Sequence, residues 1–268
     1  MASAPGVLNS RRPPHPRPKE HRRVARIAGI LDRAYGTPRL GNKDDPLDEL
    51  IYIILSAKTA DASFQRTYET IHARFPGWFG ILDARRGVVA RAIREGGLSR
   101  KKEGQIRGML RALVKRGAMD LAAALRPLSD EEAEAFLVTL PGVGKKTARC
   151  VLMYSMGRAV FPVDTHVARL VDRLGWFPRR RLTDAVQDQI QASVPPDLRY
   201  ALHVEFVTHG RRICRVSNPR CEVCVLRRCC IYYSQVARTR RPRIRGSSDR
   251  RVGKRRPDLR GSLVARQP

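Results

Sequence analysis

The sequence predicts an all-α fold, and three features of the chain support this prediction. Apolar residues recur three or four positions apart through most of the chain, which places them on one face of a helix. No stretch shows the sustained apolar–polar alternation of a half-buried strand, and no repeat of about 20 to 50 residues occurs. Capping residues, glycines and prolines stand at the ends of the apolar stripes, where helices begin and end. With 268 residues, the chain is long enough for one large or two small domains.

The first helices follow a short basic segment. Residues 1–20 contain five prolines and four basic residues against one Glu, so we expect a disordered basic arm. An Arg-rich start is also typical of transit peptides, but the prolines oppose the amphipathic helix that such peptides form. Helical spacing begins at Val24 and stops before Pro38. Asp45 and Pro46 then have the pattern of an N-cap followed by the first helical residue.

Further apolar stripes predict the remaining helices in order. His203 and His209 fall on the last of these helices, and we expect both to be partly buried packing residues. The stripes are Leu47, Leu50, Ile51, Ile54 and Leu55; Phe64, Tyr68, Ile71 and Phe75; Ile106, Met109, Leu110, Leu113 and Val114; Met119 to Leu125; Val167, Leu170, Val171 and Leu174; Val186 and Ile190; and Leu198, Leu202 and Phe206.

A Gly-x-Gly turn between two helices is the most distinctive local feature. Ser129 and Glu132 have the spacing of a capping box and begin the first of these helices. The segment Leu140–Ala148, with the sequence LPGVGKKTA, interrupts the helical pattern before the second helix. The N-terminus of that second helix presents unpaired backbone N–H groups and partial positive charge, which stabilise a bound phosphate oxygen. The turn therefore predicts an anion-binding hairpin.

The charge of the chain indicates a polyanionic partner. The sequence has 53 Lys and Arg against 25 Asp and Glu, a net charge of +28. Nucleic acid is the first candidate, and an anionic membrane surface is the second. No apolar run approaches the roughly 20 residues of a membrane helix, and the first residues lack the apolar region of a secretory signal. We therefore expect an intracellular protein of the cytoplasm or nucleoid.

The C-terminal part of the chain contains four closely spaced cysteines, a pattern typical of metal-binding sites. Cys214, Cys221, Cys224 and Cys230 have the spacing C-x6-C-x2-C-x5-C, which indicates a metal centre. Structural zinc sites usually pair their ligands in two C-x(2–4)-C units, and only Cys221 and Cys224 fit that pattern. Iron–sulfur clusters are also held by four thiolates, with looser spacings. Cys229 is then a spare thiol.

Two motifs together resemble a known family. The segment LPGVGKKTA, followed by VDTH at residues 163–166, is similar to the helix-hairpin-helix DNA glycosylases, specifically the endonuclease III branch. The resemblance covers roughly residues 23–232. It implies a Schiff-base lysine at Lys146 and an essential aspartate at Asp164, which is also placed to cap the next helix. It further implies that the cysteine loop holds a 4Fe–4S cluster rather than zinc.

The family resemblance also implies an activity and a partner. We expect a bifunctional DNA glycosylase and AP lyase that removes damaged bases, by implication oxidised pyrimidines, from duplex DNA and nicks abasic sites. The lysine pKa is expected to be lowered by burial, by Lys145 and by the helix N-terminus. A monofunctional glycosylase and a non-catalytic DNA-binding protein of the same fold remain as alternatives, and a monomer is expected. The residues expected to contact DNA are Lys58, Gly142, Val143, Gly144, Lys145, Arg215 and Arg220.

One position departs from the family pattern. Lys58 stands where the family carries a glutamine that enters the gap left by a flipped base. A lysine donates hydrogen bonds but accepts none, so it cannot read the orphaned base as glutamine does. The nearby segment Leu98–Lys102 resembles a second family turn, with Glu103 in place of a small residue.

The domain organisation expected from the resemblance has two helical units with the active site in the cleft between them. Residues 43–158 would form the unit that contains the helix-hairpin-helix. Residues 21–42 would fold back onto residues 159–232 to form the iron–sulfur cluster domain. Residues 233–268 are expected to be a disordered basic tail, since residues 236–268 carry twelve Arg or Lys against two Asp.

Overall fold

The computed structural model describes residues 18–59, 61–176 and 181–240, and no β-strand occurs within these ranges. The prediction of an all-α fold is confirmed. The α-helices of these ranges are α1 (Pro18–Tyr35), α2 (Pro46–Ser56), α3 (Asp61–Arg74), α4 (Val88–Ala92), α5 (Ser99–Lys115), α6 (Leu121–Leu125), α7 (Asp130–Val138), α8 (Lys145–Tyr154), α9 (Thr165–Leu174), α10 (Asp184–Ser193), α11 (Arg199–Arg212) and α12 (Ile231–Arg240).

The buried apolar residues form two separate cores. Helices α2 to α8 contribute the first core, and α1 joins α9, α10 and α11 in the second. The chain passes from one core to the other between Val160 and Phe161, which are buried in the first and the second core respectively. Helix α1 therefore belongs by packing to the C-terminal part of the chain, although it comes first in the sequence.

Helix α2 runs through the middle of the first core. Asp45 caps its N-terminus by accepting from the backbone N–H groups of Leu47 and Asp48, and Pro46 occupies the first turn, both as predicted. Leu50, Ile51 and Leu55 are among the buried residues that cover nearly the whole helix surface. Because α2 packs on α3, α5, α6 and α8, its C-terminal end is held in a fixed position.

The predicted hairpin is formed by α7 and α8. The Ser129 side chain accepts from the Glu132 N–H, and the Glu132 carboxylate accepts from the Ser129 N–H, so the capping box is confirmed. Gly142 has a φ of +83°, and a Cβ there would lie 2.9 Å from the Gln105 side chain. The turn therefore requires glycine at this position, for both conformation and space.

Helix α11 is the centre of the second core. His203 and His209 are buried more deeply than predicted, at 2% and 1% exposure. His203 Nδ1 lies 3.0 Å from the Pro162 carbonyl, and His209 Nδ1 lies 2.7 Å from the Tyr35 hydroxyl. These bonds tie α11 to α1 and to Pro162, which lies just after the chain passes from the first core to the second.

The C-terminal boundary differs from the prediction. The expected tail begins at residue 233, but α12 continues to Arg240. The helix is anchored because Ile231 packs directly against Gly175, and because the Arg173 guanidinium lies 4.5 Å from the Tyr232 ring centroid. The predicted basic arm lies almost wholly outside the described residues, as does the remainder of the tail. Of the helices described, none has the length and apolarity needed to span a membrane.

Candidate functional site

A groove of about 1060 Å³ lies where the two cores meet. Lys146, in the first turn of α8, and Asp164, immediately before α9, both line it. The two residues predicted to be catalytic are thus brought into one groove. Lys146 precedes, and Asp164 follows, the point at which the chain passes from the first core to the second. The rest of the lining comprises Ser56, Ala57, Thr59, Phe64, Val163, Thr165, His166, Arg169, Leu182, Gly210, Arg211, Arg215 and Val216.

Of the residues predicted to contact DNA, only Arg215 lines this groove. Lys58 is exposed at the end of α2 with a φ of +54°, so its side chain projects from a left-handed turn. The hairpin turn Gly142–Gly144 and Arg220 are also outside the lining.

A smaller cavity of about 80 Å³ adjoins the groove behind Lys146. Cys150 and Tyr154 line it because they follow Lys146 at four-residue intervals on one face of α8. The side chains of Lys146 and Cys150 interact electrostatically. Asp164 and His203 close the cavity from the second core. Cys150 is a buried residue, as the sequence predicts, but its thiol also faces the site.

Asp164 caps α9 and remains an anion. Its Oδ1 accepts from the His166 and Val167 N–H groups, each at 2.8 Å, which confirms the predicted N-cap. Burial raises the pKa of this carboxyl, but His203, the Val167 N–H and Lys146 lower it, and the net pKa lies below its ordinary value. A carboxylate held in this way is available to stabilise positive charge in the groove.

The expected lowering of the Lys146 pKa is wrong. Burial does lower the pKa of this amine, but Cys150, Asp164 and Glu49 raise it, and the net pKa lies above its ordinary value. Burial raises the pKa of the Cys150 thiol to about 11, with further contributions from Glu49 and Asp164, although Lys146 lowers it. The thiol is therefore neutral at neutral pH. The Asp164 carboxylate is then the principal anion that keeps Lys146 protonated.

Lys145, which is expected to contact DNA, forms ion pairs within the protein. Its Nζ lies 2.7 Å from Asp188 Oδ1 and 3.2 Å from Glu134 Oε1. Arg149, one turn further along α8, pairs with the same two carboxylates and is 2% exposed. These four residues join α7, α8 and α10, so they fix the hairpin of the first core against a helix of the second.

Glu49 is a buried acid of the site that sequence reasoning missed. It lies on α2 at 0% exposure, and its carboxylate accepts from Asn42 Nδ2 and from the Lys43 N–H. Burial raises the pKa of Glu49 to about 7, although both hydrogen bonds and the nearby Lys146 lower it. The only sequence signal for such a buried acid was the occurrence of Glu49 within a predicted helix whose other residues are mostly apolar.

The turn after α2 is held by a buried lysine. Lys102 is 1% exposed, and its ammonium donates to the Leu55 carbonyl, the Thr59 hydroxyl and the Gly96 carbonyl at 2.6–2.8 Å. Burial lowers the pKa of this amine. Lys102 thus fixes the backbone on both sides of Lys58.

Of the four predicted cysteine ligands, Cys214, Cys224 and Cys230 pack against the second core, and Cys221 is half-buried. Burial raises the pKa of the Cys221, Cys224 and Cys230 thiols, and neighbouring cysteines of the set, Cys214 among them, raise it further. Arg173 donates to Cys214 Sγ at 3.2 Å, and His209 Nε2 lies 3.4 Å from Cys224 Sγ. Across the described part of the chain, no three His, Cys, Asp or Glu side chains converge as a single metal ion would require.

Comparison with known proteins identifies the family. Residues 51–196 match the profile of the HhH-GPD superfamily of base excision DNA repair proteins. The endonuclease III of Thermotoga maritima is 32% identical over 196 residues, which cover 73% of this chain and 87% of that protein. The chain therefore belongs to the HhH-GPD superfamily and, within it, to the endonuclease III family.

Two further comparisons agree with this assignment. A candidate DNA glycosylase of Arabidopsis thaliana is 34% identical over 186 residues, and the match covers 68% of this chain but only 63% of the relative's length. Among solved structures, a non-covalent endonuclease III–DNA complex aligns with a TM-score of 0.72 at 22% identity, covering 81% of this chain and 98% of that one. The structural match confirms the shared fold.

Proposed function

We propose that the protein is a bifunctional DNA glycosylase and AP lyase that removes damaged bases from duplex DNA. The observation that carries this proposal is that the Lys146 amine and the ionised Asp164 carboxylate line one groove between two cores, where each charge stabilises the other. A glycosylase that uses only water as its nucleophile has no need for a lysine at this place. Oxidised pyrimidines are the proposed lesions, by analogy with endonuclease III.

The chemistry begins with a flipped nucleotide. A base within the duplex offers no access to its C1′, so the nucleotide enters the groove. The neutral Lys146 amine attacks C1′, and the base leaves with the electrons of the glycosidic bond. The Asp164 carboxylate stabilises the positive charge that develops on the sugar. The adduct then opens the sugar ring: the C1′–O4′ bond breaks, a proton passes from the nitrogen to O4′, and an imine forms. The imine acidifies the C2′ proton, and loss of this proton expels the 3′ phosphate and nicks the strand.

Phosphates of the DNA backbone would be held around this groove. Arg211 and Arg215 line the wall opposite α8, and the hairpin turn presents the N-terminus of α8 with no side-chain cap. Lys58, on the braced turn after α2, would reach a phosphate or the gap left by the flipped base. We propose that Lys145 acts mainly within its ion-pair network and contributes to DNA binding only through the local positive potential.

The cysteine loop fits an iron–sulfur cluster by its donor set. Cys214, Cys221, Cys224 and Cys230 would hold it, since thiolates are the usual ligands of such clusters. The pKa of the last three thiols is raised by burial and further by other cysteines of the set, and a bound cationic cluster would favour the thiolates. A bound cluster supplies four iron–thiolate bonds that cross-link the loop, together with one-electron redox capacity. Arg173 and His209 would support the ligands through hydrogen bonds to sulfur.

Borohydride trapping tests the nucleophile. Borohydride reduces the imine between protein and DNA to a stable covalent link, so we expect the wild-type protein to be trapped on a duplex with one oxidised pyrimidine. Lys146→Gln should abolish trapping and leave binding of the duplex within a few-fold of wild type. Lys101→Gln, which removes an exposed lysine of α5, is the matched control.

Two results would overturn the proposal in different ways. Undiminished trapping of Lys146→Gln would show that another amine is the nucleophile. Base excision by the wild-type protein without any trapping would identify a monofunctional glycosylase, and binding without excision would identify a non-catalytic DNA-binding protein.

A further inference from the structure

We propose that Glu49 accepts the proton that Lys146 must lose before it attacks DNA. This inference rests on the proposed function, because it assumes that Lys146 is the nucleophile. It assigns a role to an acid that neither the hairpin nor the VDTH motif contains.

The position of Glu49 fits this role. The residue lies on α2, which packs against α8, and its charge acts on Lys146, Cys150 and Tyr154 along the face of α8 that lines the small cavity. Its carboxylate is held by Asn42, whose side chain also lines that cavity. The Glu49 carboxylate therefore lies behind Asn42, one residue away from the cavity that Lys146 also lines.

The site needs such a group because Lys146 is protonated in the resting protein. An ammonium has no lone pair and cannot attack C1′. The pKa of Asp164 is lowered, which makes it a weak base. The His203 pKa is lowered to about 4, so this ring is a weak base as well. The Cys150 thiol already carries its proton at neutral pH.

Glu49 differs from these three groups because its pKa lies close to neutral pH. Burial raises the pKa of Glu49 to about 7, and a base whose pKa lies near the working pH is the most effective. The other ionisable groups around it are Lys43, which precedes α2, Tyr68 of α3 and Tyr154 of α8. The pKa of both tyrosines is raised, so neither competes for the proton.

The transfer conserves atoms and charge. The Lys146 ammonium and the Glu49 carboxylate become a neutral amine and a neutral carboxylic acid. The Asp164 carboxylate loses its neighbouring cation in this step and stays stabilised by the His166 and Val167 N–H groups. The cavity of about 80 Å³ exceeds the roughly 15 Å³ that one water needs, so it can hold a water beside Lys146 that takes part in the transfer. The acid can return the proton to the departing base before the imine forms.

The test is the pH dependence of single-turnover borohydride trapping on a duplex with one abasic site. For the wild-type protein, we expect the rate to rise with pH and level off above about pH 7, as Glu49 becomes ionised. Glu49→Gln should be slower by about 100-fold at pH 7 and should approach wild type only at high pH, where the bulk solvent takes the proton. Glu49→Asp, which keeps a carboxylate, should retain the inflection at a reduced rate.

A purely electrostatic role for Glu49 predicts the opposite result. Since the Glu49 charge raises the Lys146 pKa, Glu49→Gln would then increase the rate at neutral pH. A faster or unchanged rate in Glu49→Gln, or an inflection that persists in it, would refute the proposal.

A matched control comes from the second core. Glu205 is also 0% exposed with a pKa raised to about 7, but its electrostatic partners are Asp32 and Thr37 rather than Lys146. Glu205→Gln should leave the pH profile unchanged. If the wild-type protein is not trapped at all, the proposed function fails; if it is trapped and Glu49→Gln behaves as wild type, only the role of Glu49 fails. Should Glu49→Gln not fold, loss of the inflection in Glu49→Asp would by itself refute the inference.

Discussion

Replacing Lys102 by methionine should destabilise the protein without leaving a cavity. The two side chains have similar length, so the substitution removes the ammonium and little else. Its three acceptors are the Leu55 and Gly96 carbonyls and the Thr59 hydroxyl. The Thr59 hydroxyl also donates to the Leu55 and Gly96 carbonyls, so the lysine adds its three bonds to a direct link between the two segments.

The magnitude follows from these three bonds. Hydrogen bonds to a charged group contribute about 1.5–3 kcal/mol each. Removing the ammonium also removes the cost of burying it, which is several kcal/mol. The net loss should therefore be about 3 kcal/mol in the free energy of unfolding, and for a chain of this size it should lower the Tm by about 6–12 °C.

Differential scanning calorimetry is the assay, with Lys101→Met as the control because that neighbouring lysine is exposed. Hydrogen exchange at the Thr59 amide, which bonds to the Ser56 carbonyl, should accelerate in Lys102→Met if the turn around Lys58 loosens. A Tm within about 2 °C of the Lys101→Met variant, with unchanged exchange at Thr59, would show that Lys102 does not brace this turn.

Two further predictions concern the second core. The pKa of Glu205 is raised to about 7, so the folded state retains its proton more tightly than the unfolded chain, and stability falls as pH rises from about 4.5 to 7. Glu205→Gln should remove this loss: thermal melts should show stabilisation by about 3 kcal/mol at pH 8 and none near pH 4.5. Equal effects at both pH values would contradict this expectation. Cys230→Ser should lower the iron content of the purified protein, whereas Cys229→Ser should not. If iron analysis gives the reverse result, Cys229 rather than Cys230 is the fourth ligand.

The sequence by itself determined the local structure of the site. The capping box at Ser129 and Glu132, the N-cap at Asp45 and the N-cap at Asp164 depend on residues two or three positions apart, so spacing alone was sufficient to predict them. The turn at Gly142 was predictable for the same reason. The pairing of Lys146 with Asp164 was expected only from the family resemblance, because eighteen residues and a change of core separate them.

Only the tertiary structure decided which charges surround Lys146 and Lys145. The Glu49 charge acts on Lys146 because α2 packs on α8, and Lys145 of α8 forms an ion pair with Asp188 of α10. These interactions join residues about 40 to 100 positions apart. The sign of the Lys146 pKa shift is a balance between burial, which lowers the pKa, and Cys150, Asp164 and Glu49, which raise it. Electrostatic energy depends on distances in space and on the local dielectric, and neither can be read from the spacing of residues along the chain.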